Sequence, residues 1–232
     1  ELGDAQAQHN IAWMYYVGDG VEVDYNIAFQ WELRAAQNGD MRAQYNLGQM
    51  YYYGEGTNVD MHAAFEWYNK SAIQGDESAQ YCLACMYEDG IGTAIDINMA
   101  FQWYKKSAEL GDDSAQCRLG YMYLEGKGTP IDYYKAFEWY RKSAENGNAR
   151  AQFNLSILYE QGTGTVRNIN EAFSWCRKSA DQGFANGQAR LGDMYYFGKG
   201  IQPDYNKAVE YYKAAAQQGD EDAINQLHQL GF

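Results

Sequence analysis

The chain has 232 residues, long enough to bury a substantial core, and carries 31 acidic against 18 basic residues for a net charge of -13. That acidity disfavours nucleic acid and anionic membrane as partners and favours a protein or peptide with a basic surface. No run of about 18 apolar residues is present, so no membrane span is expected.

The chain opens Glu1-Leu2-Gly3 without a basic-then-apolar leader. The absent initiator methionine suggests that an upstream part has been removed.

Self-similarity organises the rest. Gly39, Gly75, Gly111, Gly147, Gly183 and Gly219 stand 36 residues apart. The chain therefore divides into repeats at 4–39, 40–75, 76–111, 112–147, 148–183 and 184–219, with a remainder at 220–232. Gln8, Gln44, Gln80, Gln116, Gln152 and Gln188 form one further column. Tyr15, Tyr51, Tyr87, Tyr123, Tyr159 and Tyr195 form another, and Ala28, Ala64, Ala100, Ala136, Ala172 and Ala208 a third.

Each repeat predicts two helices. The first three break at a Gly-x-Gly, beginning with Gly18-Asp19-Gly20, and continue through Trp31, Trp67 and Trp103. In the fourth, Ala115, Leu119, Met122 and Tyr123 share one helical face. Gly126-Lys127-Gly128-Thr129-Pro130 ends that helix. Asp132 then has N-cap chemistry, its carboxylate accepting from free backbone amides. Ala136, Trp139, Tyr140, Ser143 and Ala144 make the face of the second helix, and Gly147 stops it. Because Trp31, Trp67, Trp103, Trp139 and Trp175 recur as a column, completed by Tyr211, the stripe of Ala136, Trp139, Tyr140 and Ala144 is expected to be buried. Lys142, like Lys70, Lys106 and Lys178, extends to solvent or pairs locally. The fifth and sixth repeats follow the same plan. The small column Ala12, Gly48, Ala84, Gly120, Ser156 and Gly192 marks close helix approach. Residues 220–232 match one more first helix through Ala223 and Leu227, and read as a cap. Stacked pairs of this kind bury what one pair cannot.

Little suggests chemistry. Cys82-Leu83-Ala84-Cys85 is half of a zinc site with no second half, and His9, His62 and His228 are scattered. The Gly-x-Gly turns follow no strand and contain no Gly-Lys-Ser/Thr, so they are not phosphate cradles. No catalytic residue, cofactor site or metal site is assigned.

The pattern A-x-x-x-L-G-x-x-Y-x-x-G-x-G, then D-x-x-x-A-x-x-W-Y-x-K-S/A-A-x-x-x-G, resembles Sel1-like repeats, relatives of the tetratricopeptide repeats. Ala43, Leu47, Gly48, Tyr51, Gly54, Gly56, Asp60, Ala64, Trp67, Tyr68, Lys70, Ser71, Ala72 and Gly75 carry it in the second repeat, and equivalents carry it elsewhere. The resemblance implies an all-α fold, an αα-hairpin solenoid in a right-handed superhelix, with about six repeats and a C-terminal capping helix. It also implies a non-enzymatic scaffold or adaptor. Many bacterial members belong to secretion, envelope, virulence or signalling systems, so bacterial cytoplasm or periplasm is expected, and a monomer. Some members are immunity proteins. Cysteine-rich members staple each repeat with a disulfide, but Cys82, Cys85, Cys117 and Cys176 never place one cysteine in each helix of a repeat. That subclass is disfavoured, and a Cys85–Cys117 bridge stays open.

By analogy with tetratricopeptide geometry, the first helices line a concave groove, and recognition falls to columns that vary. The candidates are Asn10, Trp13, Tyr16, Tyr45, Asn46, Gln49, Tyr52, Tyr53, Tyr81, Glu88, Asp89, Tyr121, Glu125, Phe153, Asn154 and Glu160. Their aromatics would anchor a partner and their asparagines would bind peptide backbone. Glu88, Asp89, Glu125 and Glu160 would pair with its basic residues. The alternative reading is an immunity or inhibitor protein against a basic toxin or effector of a bacterial secretion system. A hydrolase is the third.

Overall fold

A computed structural model describes residues 3–232. Thirteen helices and no strand occur among them. They are α1 (Ala5–Val17), α2 (Tyr25–Gln37), α3 (Met41–Tyr53), α4 (Met61–Gln74), α5 (Glu77–Asp89), α6 (Ile97–Leu110), α7 (Asp113–Glu125), α8 (Tyr133–Glu145), α9 (Ala149–Gln161), α10 (Ile169–Asp181), α11 (Ala185–Phe197), α12 (Tyr205–Ala216) and α13 (Glu221–Gln229). The helices fall into two compact units, Glu1–Ala115 and Gln116–Phe232, with the boundary inside α7. Within each unit the helices pack in chain order as αα-hairpins, so each is a stretch of all-α solenoid.

The helix ends follow from residue chemistry. Asp24, Asp60, Asp96, Asp132 and Asp204 accept backbone amide hydrogen bonds at the starts of second helices, and Asn168 does the same. At the starts of first helices Asp40, Asp76 and Asn148 cap likewise, whereas Phe184 opens α11 without a side-chain cap bond. First helices stop at glycines with positive φ, such as Gly18 and Gly54.

The recurring columns are the mortar between neighbouring hairpins. The Gln44 side-chain amide donates to the Ala36 carbonyl at 3.1 Å, while its oxygen accepts from Gln74 at 2.7 Å. Gln152 repeats this between Ala144 and Gln182. Ser71 donates to the Met41 carbonyl and Ser179 to the Ala149 carbonyl. The tyrosine column meets a phenylalanine of the preceding second helix edge-on, Phe29 with Tyr51 and Phe137 with Tyr159, both at 5.3 and 5.2 Å respectively. Buried polar groups are thereby satisfied in the same places where aromatic edges interlock.

The small column has a steric cause. A Cβ at Gly48 would lie 2.8 Å from the buried Tyr68 ring. In the loops, a Cβ at Gly56 would overlap the Tyr25 carbonyl of the preceding repeat, so the second glycine of Gly-x-Gly is a contact residue as well as a turn.

The second-helix stripe differs from expectation at one position. Ala136, Phe137, Tyr140, Ser143 and Ala144 are buried, whereas Trp139 is only half-buried. Lys142 lies over its ring at 4.2 Å, as Lys70 lies over Trp67 and Lys178 over Trp175. Phe137 takes the core position and the tryptophan forms a shelf for the lysine. The final helix α13 buries Ala223 and Leu227 against the sixth repeat and leaves His228 exposed, as suits a cap.

Candidate functional site

In the N-terminal unit, the variable positions of α1 and α3 converge. Trp13, Tyr16, Asn46 and Gln49 line a cavity of about 80 Å³, together with Ala12, Ala28, Glu32, Met50 and Glu55. Helical spacing explains the convergence: Trp13 and Tyr16 sit one turn apart on α1, as do Asn46 and Gln49 on α3. Trp13 remains 55% exposed, so its ring meets both cavity and solvent. It stacks on Tyr16 with centroids 6.1 Å apart and planes at 18°. The Tyr16 hydroxyl donates to Glu55 at 2.9 Å. Burial and that carboxylate raise the Tyr16 pKa above the usual phenol value.

The floor of the cavity holds a buried carboxylate. Glu32 of α2 is 3% exposed and accepts from His9 Nδ1 at 3.0 Å and from Asn46 at 2.6 Å. Its hydrogen bond raises the His9 pKa, against the opposing effect of burial, with Asp40 also raising it and Arg42 lowering it. In other repeats the Glu32 position is Tyr68, Tyr104, Tyr140 or Tyr212, or Cys176. The His9 position is Tyr45 or Tyr81 in the next two repeats, and those rings pack on Tyr68 and Tyr104 at 5.8 and 5.7 Å. The first repeat thus replaces an aromatic pair by an imidazole–carboxylate pair. His9, Glu32 and Glu55 were not among the sequence candidates. The departure of Glu32 from an aromatic column was the available signal.

The other candidates of this unit lie apart from the cavity lining. Asn10 is exposed and accepts from Gln6 at 2.9 Å. The Tyr45 hydroxyl accepts from Gln49 at 2.9 Å, and burial pushes its pKa up to about 12. Tyr52 and Tyr53 form an edge-to-face pair at 5.0 Å, with Tyr53 66% exposed. Tyr81 packs on Tyr104, whose hydroxyl donates to Glu88 at 2.9 Å. Asp89 is exposed.

In the C-terminal unit, Lys127 lies 4.8 Å over the half-buried Tyr121 ring, and Glu125 is exposed. Phe153 packs on Phe184 at 5.7 Å and lines an open groove of about 610 Å³ with Arg190, Asp193, Asp220 and Asp222 among others. Asn154 is half-buried. The Glu160 carboxylate is taken by Arg190 and by Lys199, the latter at 2.9 Å. Those cations outweigh its partial burial and lower its pKa.

All four cysteines are thiols. No group of three metal-ligating side chains occurs among the described residues, and no helix there is long and apolar enough to cross a membrane.

A search of the curated proteins finds no match. Three solved structures are similar. A protective antigen with an SLR fold, present in uropathogenic Escherichia coli strains, is 39% identical with a TM-score of 0.89; the match covers 95% of this chain but 47% of that one. A Sel1 repeat protein from Oxalobacter formigenes is 33% identical with a TM-score of 0.82, covering 92% of this chain and 86% of that one. An immunity protein from Pseudomonas aeruginosa is 19% identical with a TM-score of 0.54, covering 94% and 83%, and shares the fold. The Sel1 repeat family matches residues 5–40, 42–76, 77–112, 113–148, 149–184 and 185–220, one match for each observed hairpin. The chain belongs to the Sel1 repeat family.

Proposed function

We propose that the chain is a non-catalytic protein-binding scaffold whose first helices hold a segment of a partner protein. One observation carries this reading: four variable positions, Trp13, Tyr16, Asn46 and Gln49, meet at one cavity, while the repeat-constant glutamines, serines and tyrosines are consumed in packing. Residues that vary without a packing demand are free to be chosen for a partner. An exposed tryptophan stacked on a half-buried tyrosine is the type of anchor that dominates interface energetics. The net charge of -13 favours a partner with a basic surface. That acidity also supports a second reading, an inhibitor that masks a cationic toxin or effector.

The test immobilises the wild-type chain and a Trp13→Ala/Tyr52→Ala variant, and compares the proteins each retains from a bacterial lysate. The reading expects a specific protein held by wild type and lost from a variant of equal helix content. Equal retention by both would remove it. Co-expression of the captured protein separates the two readings, because an inhibitor restores growth against a toxic partner and an adaptor does not.

A further inference from the structure

The cavity on α1–α3 has a chemistry that the repeat plan does not require. Where four of the other five repeats bury a tyrosine ring, the first repeat buries the Glu32 carboxylate. Burying an anion is costly, and a tyrosine at this position packs without that cost in neighbouring repeats. Substituting glutamate for tyrosine also removes a ring, and the space beside Glu32 is the cavity itself, about 80 Å³. One water needs roughly 10–15 Å³ on this measure, so a small polar head group fits.

The lining selects the sign and shape of that group. Two carboxylates, Glu32 and Glu55, face the space, and no lysine or arginine lines it. Beside them the wall presents the stacked Trp13–Tyr16 pair, whose planes differ by 18°, along with Asn46, Gln49 and the apolar Ala12, Ala28 and Met50. A planar, weakly hydrated cation can stack on such rings and hydrogen-bond to carboxylates in the same pose.

We propose that this cavity is a socket for an arginine side chain of the partner, with its guanidinium against Glu32 and Glu55 and its plane on Trp13 and Tyr16. The inference rests on the reading of the first helices as a partner surface. His9 is the counter-ion already present: its Nδ1 lies 3.0 Å from Glu32, with Asp40 and Arg42 the other charged groups acting on it. Protonated His9 neutralises Glu32, and neutral His9 leaves the full carboxylate charge to the guest. Guest and proton therefore compete, and the socket fills more readily as pH rises through the His9 titration.

The experiment needs no partner. Nα-acetyl-arginine methylamide is titrated into the full chain, and the Trp13 indole and the Asn46 and Gln49 side-chain amide signals are followed by NMR. The neutral isostere Nα-acetyl-citrulline methylamide and the lysine analogue are titrated in parallel. The proposal expects saturable shifts at these three residues, with arginine at least threefold tighter than either analogue. Glu32→Gln should weaken arginine binding at least tenfold. If that variant does not fold, Glu55→Gln takes its place with the same expectation. Affinity should rise between pH 5.5 and 8.5, and His9→Asn should flatten that rise. Arginine affinity within threefold of either analogue, no shift at these residues, or unchanged affinity in the carboxylate variant overturns the socket. A partner lost from the Trp13→Ala/Tyr52→Ala variant would then still support the scaffold reading, so the two failures are separable.

Discussion

His9 and Glu32 form an imidazole–carboxylate pair, 3.0 Å apart, at the two positions where the second and third repeats pack tyrosine against tyrosine. The substitutions are matched, since each alone would leave its partner badly placed. His9→Tyr would leave Glu32 buried without its cation, and Glu32→Tyr would leave His9 facing a ring.

Restoring both tyrosines tests this coupling. Each single variant is expected to be destabilised by about 1–3 kcal/mol, from an unpaired buried polar group or overpacking. The His9→Tyr/Glu32→Tyr double variant should recover most of that loss, with a coupling of about 0.5–3 kcal/mol between the sites. Urea unfolding of the four proteins supplies the comparison. Additive losses would mean that the pair does not function as a unit.

The same pair makes stability depend on pH. The folded state raises the His9 pKa. Its contribution is therefore complete below the unfolded histidine value of about 6.5, and is lost as pH rises through the higher folded value. Burial pushes the Cys82 and Cys176 thiols and the Tyr45 phenol to about 12, well above this window. The difference in Tm between wild type and His9→Asn should shrink steadily from pH 6 toward pH 8.5. A constant difference would show that the pair carries no proton-linked stability.

Those raised thiols also predict inertness. At pH 8, Cys82 and Cys176 should alkylate with iodoacetamide far more slowly in the native chain than in the urea-unfolded chain, because almost no thiolate is present. Peptide mass spectrometry reads both sites. Native labelling as fast as in the unfolded chain would contradict the burial account, and would return Cys82-Leu83-Ala84-Cys85 to consideration as a redox or metal motif.

Gly48→Ala should cost about 1–3 kcal/mol by overpacking, because the added carbon meets the Tyr68 ring at 2.8 Å. Ala84→Gly, at the equivalent position of the third repeat, adds no atom and should show no steric loss; it should cost about 1 kcal/mol in helix propensity and about 0.8 kcal/mol for the buried methyl. Thermal unfolding of both variants distinguishes the terms. An undisturbed Gly48→Ala protein would mean the close approach is not a packing constraint.

The fold was readable because its packing columns recur every 36 residues: Gln44 and Tyr51 have counterparts in every repeat, and Ser71 has them from the second repeat to the fifth. The candidate cavity was readable only in part. Trp13, Tyr16, Asn46 and Gln49 were identified by their variability on first helices, but Glu32 lies on a second helix in a column read as core. Glu55 belongs to a loop read as a turn. Glu160 looked like its acidic neighbours, yet Arg190 and Lys199, 30 and 39 residues on, come back to it through the hairpin stacking. Trp139 misled in the other direction. Recurrence marked it as structural, but the residue sent into the core is Phe137, and the tryptophan stays half-buried under Lys142.

The central claim is that variable first-helix positions bind and repeat-constant positions build. Hydrogen exchange of the full chain, alone and with the captured partner bound, tests it most directly. The account predicts added protection in α1 and α3, covering residues 9–16 and 45–53. Protection confined to the tryptophan–lysine shelves of the second helices, at Trp67, Trp139 and Trp175, would contradict it.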